Sequence, residues 1–130
     1  MLPQLWFRNT WSWPGGGSRP RLTGRQSGGS VVIDARHTDP LFRESLGDYA
    51  LTCEGTPKLL FTENDTNNAH LFGGDNATAF VKDAFHRCVV GGEAGAVNAG
   101  SEGSKAAAQY RLDLAANSSW IIRLRVRKEG

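Results

Sequence analysis

Toward its end the chain reads SWIIRLRVR, in which Trp120, Ile122, Leu124 and Val126 alternate with Ile121, Arg123, Arg125 and Arg127. Successive side chains of a strand point to opposite faces, whereas apolar residues on one helix face recur at intervals of about 3.6 residues. The alternation therefore predicts a strand. A second run precedes it, with Ala106, Ala108, Tyr110, Leu112 and Leu114 on one face and Lys105, Gln109, Arg111 and Asp113 on the other. Joined through AANSS, the two runs predict an antiparallel hairpin with one face on a core and the other wet. LPQLWFR at 2–8, VVIDA at 31–35, DYALTC at 48–53, PKLLFT at 57–62 and AFHRCVV at 84–90 supply further strand expectations. Turn signals at 14–17, 27–30, 47–48, 55–57 and 91–92 separate them. The expected class is all-β, an antiparallel β-sandwich, with long polar loops over 66–83 and 91–104.

A chain of 130 residues holds one such domain, 1–130, and is too short for two. Its 39% hydrophobic content, with four Trp and six Phe, is enough to form a core. Gly15-Gly16-Gly17 and Ser27-Gly28-Gly29-Ser30 bracket PRL, so residues 14–30 are expected to form a flexible excursion between strands. The net charge is only +2 and the basic residues are scattered apart from the arginines near the end, which argues against a nucleic-acid partner. No apolar run approaches the ~20 residues needed to span a bilayer, which argues against a membrane partner. No export signal opens the sequence, so a cytoplasmic location is expected. In that setting the sequons at Asn64, Asn76 and Asn117 carry no glycan. Cys53 and Cys88 are either two free thiols or a pair, if their segments are neighbours.

Catalytic motifs are sparse. Glu54, Glu63, Asp65, Asp75 and Asp83 are acids of the kind a glycosidase pairs, but spacing on loops does not say which of them meet. Asp65, Asn67, Asp75 and Asn76 are oxygen ligands without the glycine and terminal glutamate of a calcium loop, and His37, His70 and His86 lie far apart, so no metal is expected. There is no G-x-S-x-G, no P-loop and no G-x-G-x-x-G, and no cofactor is expected. WFRNTWSW, Trp6 to Trp13, leaves two readings. Its indoles either fill the core or stack on the apolar face of a sugar whose hydroxyls Arg8 and Asn9 would bind.

LPQLWFRNTWSW, LGDYALTCEGTPKLLFTENDTNNAHLFGGDNATAFVKDAFH and VVGGEAGAVNAGSEGSKAAAQYRLDL together resemble a segment of large bacterial glucosidase-like proteins related to glycoside hydrolase family 63. The likeness follows the motif order over nearly the whole chain and is weak only over 14–45. The family pattern runs roughly WFRNTWSWG, PELLFTENETN, RLFG, NASPYVKD, AVNP and GTKAAAxY. This chain has Pro14 after the last Trp, Lys58 and Asp65 for Glu, His70 for Arg, Ala79 and Ala99 for Pro, Phe80 for Tyr and Ser104 for Thr.

The resemblance implies a galactose-mutarotase-like β-sandwich, present as a partial domain, whose partner is the separate (α/α)6 barrel that carries the catalytic acid and base. It implies no catalytic residue in this chain. Trp11, Trp13, Glu63, Asn64 and Asn67, with Lys82 and Asp83, are the expected carbohydrate-facing residues. The alternatives are a free-standing carbohydrate-binding sandwich, and a structural interaction domain in which FTENDTN is a capped turn.

Overall fold

The computed structural model describes residues 1–37 and 47–130; residues 38–46, most of them in the weakly matched segment, lie outside the described residues. Among the described residues eight strands run in the order β1 (Gln4–Trp6), β2 (Arg21–Ser27), β3 (Ser30–Arg36), β4 (Tyr49–Glu54), β5 (Lys58–Thr62), β6 (Glu102–Gly103), β7 (Lys105–Gln109) and β8 (Leu124–Lys128). Two short helices, α1 (Asn68–Phe72) and α2 (Ala84–Val89), fall between β5 and β6. The strands form a three-stranded sheet of order β1-β7-β5 and a five-stranded sheet of order β6-β2-β3-β4-β8. Every pairing is antiparallel. The protein is an all-β antiparallel sandwich.

The core follows from the alternation. Leu22, Val31, Ile33, Ala35, Leu51 and Cys53 project from the five-stranded sheet onto Phe61, Ala106 and Ala108 of the other. Gly24 faces the same interior, and a Cβ there would stand 2.8 Å from Leu59 Cδ1 and 3.0 Å from the Phe61 ring. A hydrogen at that position lets the aromatic ring lie against the opposing backbone. On its far face the three-stranded sheet is covered by α2, where Phe85 packs on Leu60 and Ala107. Ala106, Ala107 and Ala108 are consequently all buried, because β7 is the middle strand of a sheet covered on both sides.

Three sequence expectations are corrected and one open reading is narrowed. Residues 14–30 are not a flexible excursion throughout: Arg21–Ser27 forms β2, seven residues paired with β3, and Leu22 is fully buried. Ser27 pairs with Ser30, so Gly28-Gly29 is a two-residue hairpin turn, with Gly28 at φ +58° where a side chain would be strained. AFHRCVV is not a strand. Ala84, Phe85 and Cys88 share one side of helix α2, a spacing that a short apolar run does not distinguish from a strand. The two alternating runs near the end do not pair with each other: β7 joins β1 and β5, whereas β8 joins β4. Finally, no indole belongs to the buried core.

Cys53 is buried and Cys88 partly buried, and both are free. Burial raises the Cys53 thiol pKa above its ordinary value. Among the described residues no helix is long and apolar enough to cross a membrane.

Candidate functional site: a polar pocket organised by Asp65

The segment that follows β1 folds back on itself through two turns. Trp13 N donates to Thr10 O (3.0 Å) and Gly16 N to Trp13 O (2.9 Å), while Ser12 N donates to Asn9 Oδ1 (3.1 Å). Gly16 closes the fold, since a Cβ there would stand 1.6 Å from Thr10 O. The result presents Trp13 outward, 52% exposed, with the Arg8 guanidinium 5.2 Å from its ring centroid.

FTENDTN, at the end of β5, is the other half of the site, and nearly every polar group in it is engaged. Thr62 Oγ1 donates to Val81 O (2.8 Å) in the interior. Glu63 Oε2 accepts from Ser104 N (3.1 Å) and Ser104 Oγ (2.5 Å), and Arg19 Nη1 stands 3.7 Å away. Asn64 N donates to Ser104 Oγ (2.9 Å) and Asn64 Nδ2 to Phe7 O (2.8 Å). Asn67 caps α1, accepting from His70 N (3.2 Å), and its Nδ2 donates to Asp83 Oδ2 (3.0 Å). Asp83 Oδ1 is buried without a hydrogen-bond partner, with Arg87 Nη1 3.9 Å away.

Asp65 ties the two halves together. Its Oδ1 accepts from Asn9 Nδ2 (2.9 Å) and Trp11 Nε1 (2.8 Å), and its Oδ2 from Arg19 Nη2 (2.9 Å). The residue is only 7% exposed. A buried carboxylate is tolerable here because three donors, one of them cationic, replace its water. Arg19 also lies over the Trp11 ring, 5.8 Å from its centroid, which fixes that indole from a second side.

The outcome is an open pocket of about 410 Å³ whose lining includes Asn9, Trp13, Asn64, Asp65, Thr66 and Lys82. That volume is in the range of small-molecule sites. Lys82 Nζ reaches Thr66 Oγ1 (3.3 Å), and Lys105, beside it, donates through Nζ to Lys82 O (3.0 Å) over the Phe85 ring. Burial first, and then the Lys82 charge, lower the Lys105 pKa from its ordinary value.

Of the seven residues expected to face carbohydrate, Trp13, Asn64 and Lys82 line this pocket. Trp11, Glu63, Asn67 and Asp83 do not line it and are bonded to the protein itself. Arg19 and Ser104 are not among the residues the sequence singles out, Asn9 enters there only beside the indoles as a sugar-hydroxyl partner, and Asp65 stands there as a family departure and a candidate acid or metal ligand rather than as the centre. A buried acid beside NTWSW is the signal that points to it, but the donors come from 46 to 56 positions away. Among the described residues Asp65 is the one carboxylate on the pocket wall, and both of its oxygens are occupied. Among the described residues no group of three or more His, Cys, Asp or Glu is placed to hold a metal ion.

The fold and site thus define an antiparallel β-sandwich with a polar, tryptophan-flanked pocket. In sequence the chain is similar to an uncharacterized protein of Saccharomyces cerevisiae, YMR196W, at 33% identity over 132 aligned residues. The match takes in 86% of this chain and 12% of the yeast protein, so the chain spans a small part of the length of the curated relative it matches. No family model matches the chain, and no solved structure matches it.

Proposed function

We propose that the chain is a non-catalytic, carbohydrate-facing β-sandwich of a larger glucosidase-like protein related to glycoside hydrolase family 63. In this reading it packs beside a separate (α/α)6 catalytic barrel and helps shape the entrance to its active site. The observation that carries the reading is the pocket, lined by the half-exposed Trp13 together with Asn64 and Lys82. An indole face suits the C–H side of a pyranose, and amide and ammonium groups suit its hydroxyls. The only wall acid among the described residues, Asp65, is held by three donors, whereas glycoside hydrolysis by carboxylates uses an acid and a second carboxylate across the bond. The pocket therefore supports binding without cleavage.

The small share of the yeast relative supports membership in a longer polypeptide, as do the apolar side chains left uncovered at Leu71, Phe72, Trp120 and Ile121. A cytoplasmic location fits the two free thiols. The free-standing carbohydrate-binding alternative is favoured by the exposure of Trp13 alone.

Calorimetric titration of the chain with glucose oligosaccharides tests the reading. Saturable heat is expected, lost in Trp13→Ala and weakened in Lys82→Ala, with unchanged melting temperatures and no release of reducing sugar. Absence of saturable heat in the natural sequence, or binding indifferent to Trp13→Ala, overturns it.

A further inference from the structure

Strand β8 ends the five-stranded sheet. One of its edges pairs with β4, and no strand among the described residues pairs with the other. Such an edge presents free N–H and C=O groups and is normally shielded. Here Arg125, Arg127 and Lys128 charge the strand, which guards it against a basic or uncharged partner but not against an acidic one. Leu124 and Val126 stand in register with the buried Cys53 and Leu51, so the core face of the sheet continues onto β8. The opposing sheet has three strands against five, and those two side chains remain 39% and 57% exposed. On the other face Arg125 and Arg127 pair beside Thr52 and Ala50, and Arg123 leads into the same row. Arg123 is bonded to Glu54 (3.2 Å) and Arg127 to Glu129 (2.7 Å). Arg125, between them, makes no ion pair or hydrogen bond among the described residues.

We propose that the free edge of β8 takes up an added strand from a partner protein, and that the partner segment alternates acidic and apolar residues. Backbone pairing would supply the docking and the two side-chain rows the selectivity. Residues directly opposite on one face of paired strands meet, so carboxylates would lie beside the arginine row and branched apolar residues beside Leu124 and Val126. A second copy of this chain is a poor occupant. Antiparallel pairing of two β8 edges with their core faces on the same side sets arginine row against arginine row, and like charges so placed are destabilising. This surface is separate from the Trp13 pocket and does not depend on its ligand.

Fluorescence anisotropy with labelled short peptides tests the proposal on the full chain. A peptide alternating valine and glutamate is expected to bind, and one alternating valine and lysine to bind at least about tenfold more weakly. The preference should shrink as salt is raised. The glutamate peptide with alternate backbone nitrogens methylated should not bind, because it lacks the donors that pair with an edge. Arg125→Glu should reverse the order of the two unmethylated peptides, with an unchanged circular dichroism spectrum; if it unfolds the chain, Arg125→Gln should still abolish most of the preference. Equal binding of the two charged peptides, no binding of either, undiminished binding of the methylated peptide, or a stable dimer that excludes the peptides would each overturn the proposal.

Discussion

Replacing Asp65 by alanine removes both oxygens that hold Asn9, Trp11 and Arg19 and leaves those three donors without their acceptor. A hydrogen bond to a charged group contributes about 1.5–3 kcal/mol, but donors that reach water recover much of that when the acceptor is lost. The Arg19 side chain is 39% exposed and both Asn9 and Trp11 are half-buried, which places Asp65→Ala near a loss of ~3 kcal/mol. Asp65→Asn is the sharper probe. An amide oxygen in place of Oδ1 still accepts from Asn9 and Trp11, while the NH2 in place of Oδ2 meets the Arg19 donor, so about half of that loss is expected. Urea unfolding followed by tryptophan fluorescence reads both variants. With a slope near ~2 kcal/mol per molar, the alanine midpoint should fall by about 1.5 M and the asparagine midpoint by about half as much. An alanine variant within ~0.5 kcal/mol of the natural protein would refute the claim that Asp65 organises the loop. Equal losses in the two variants would refute the assignment of two donors to Oδ1.

Two further outcomes are expected. Gly103→Ala would place a Cβ 2.2 Å from Thr62 O, a backbone atom that yields only if β5 moves, so a loss of about 3 kcal/mol or failure to fold is expected in the same urea assay, and near-neutral behaviour would contradict the packing. The lowered Lys105 pKa predicts an NMR titration midpoint for its Cε below 10.5, the ordinary lysine value. Because the folded chain then holds its Lys105 proton less tightly than the unfolded chain, this residue's contribution to stability should rise with pH between the folded midpoint and 10.5. Lys105→Met should flatten that part of the profile, and a midpoint at or above 10.5 would sink the argument.

Much of the sheet architecture is legible in the sequence because one-sided burial imposes period two: VVIDA, DYALTC and PKLLFT become β3, β4 and β5, and RLRV lies in and beside β8. Partners were less legible. The alternation in KAAAQYRLDL shows no preference between β8 and β5, and the choice is made by Phe61 and Leu60 meeting Ala106 and Ala107. β2 was hidden because RLTGRQS buries one large side chain and uses Gly24 for close approach, so its composition reads as a linker. For the site, Trp13 is legible by its chemical type, and Asn64 and Lys82 only through the family resemblance. The organiser Asp65 escaped because its role depends on Asn9, Trp11 and Arg19 arriving from across the chain, contacts that local spacing does not encode.

Ser104 has a consequence beyond the pocket. It is the single residue between β6, which belongs to the five-stranded sheet, and β7, which belongs to the three-stranded one, and it is fully buried. No slack is available at that crossing, and the hydroxyl is anchored to Glu63 and Asn64 on both its donor and acceptor sides. One layer therefore cannot loosen without pulling on the other. Amide exchange in β3 and in β5 should report one common opening event rather than two, so the sandwich behaves as a single cooperative unit despite its unequal halves.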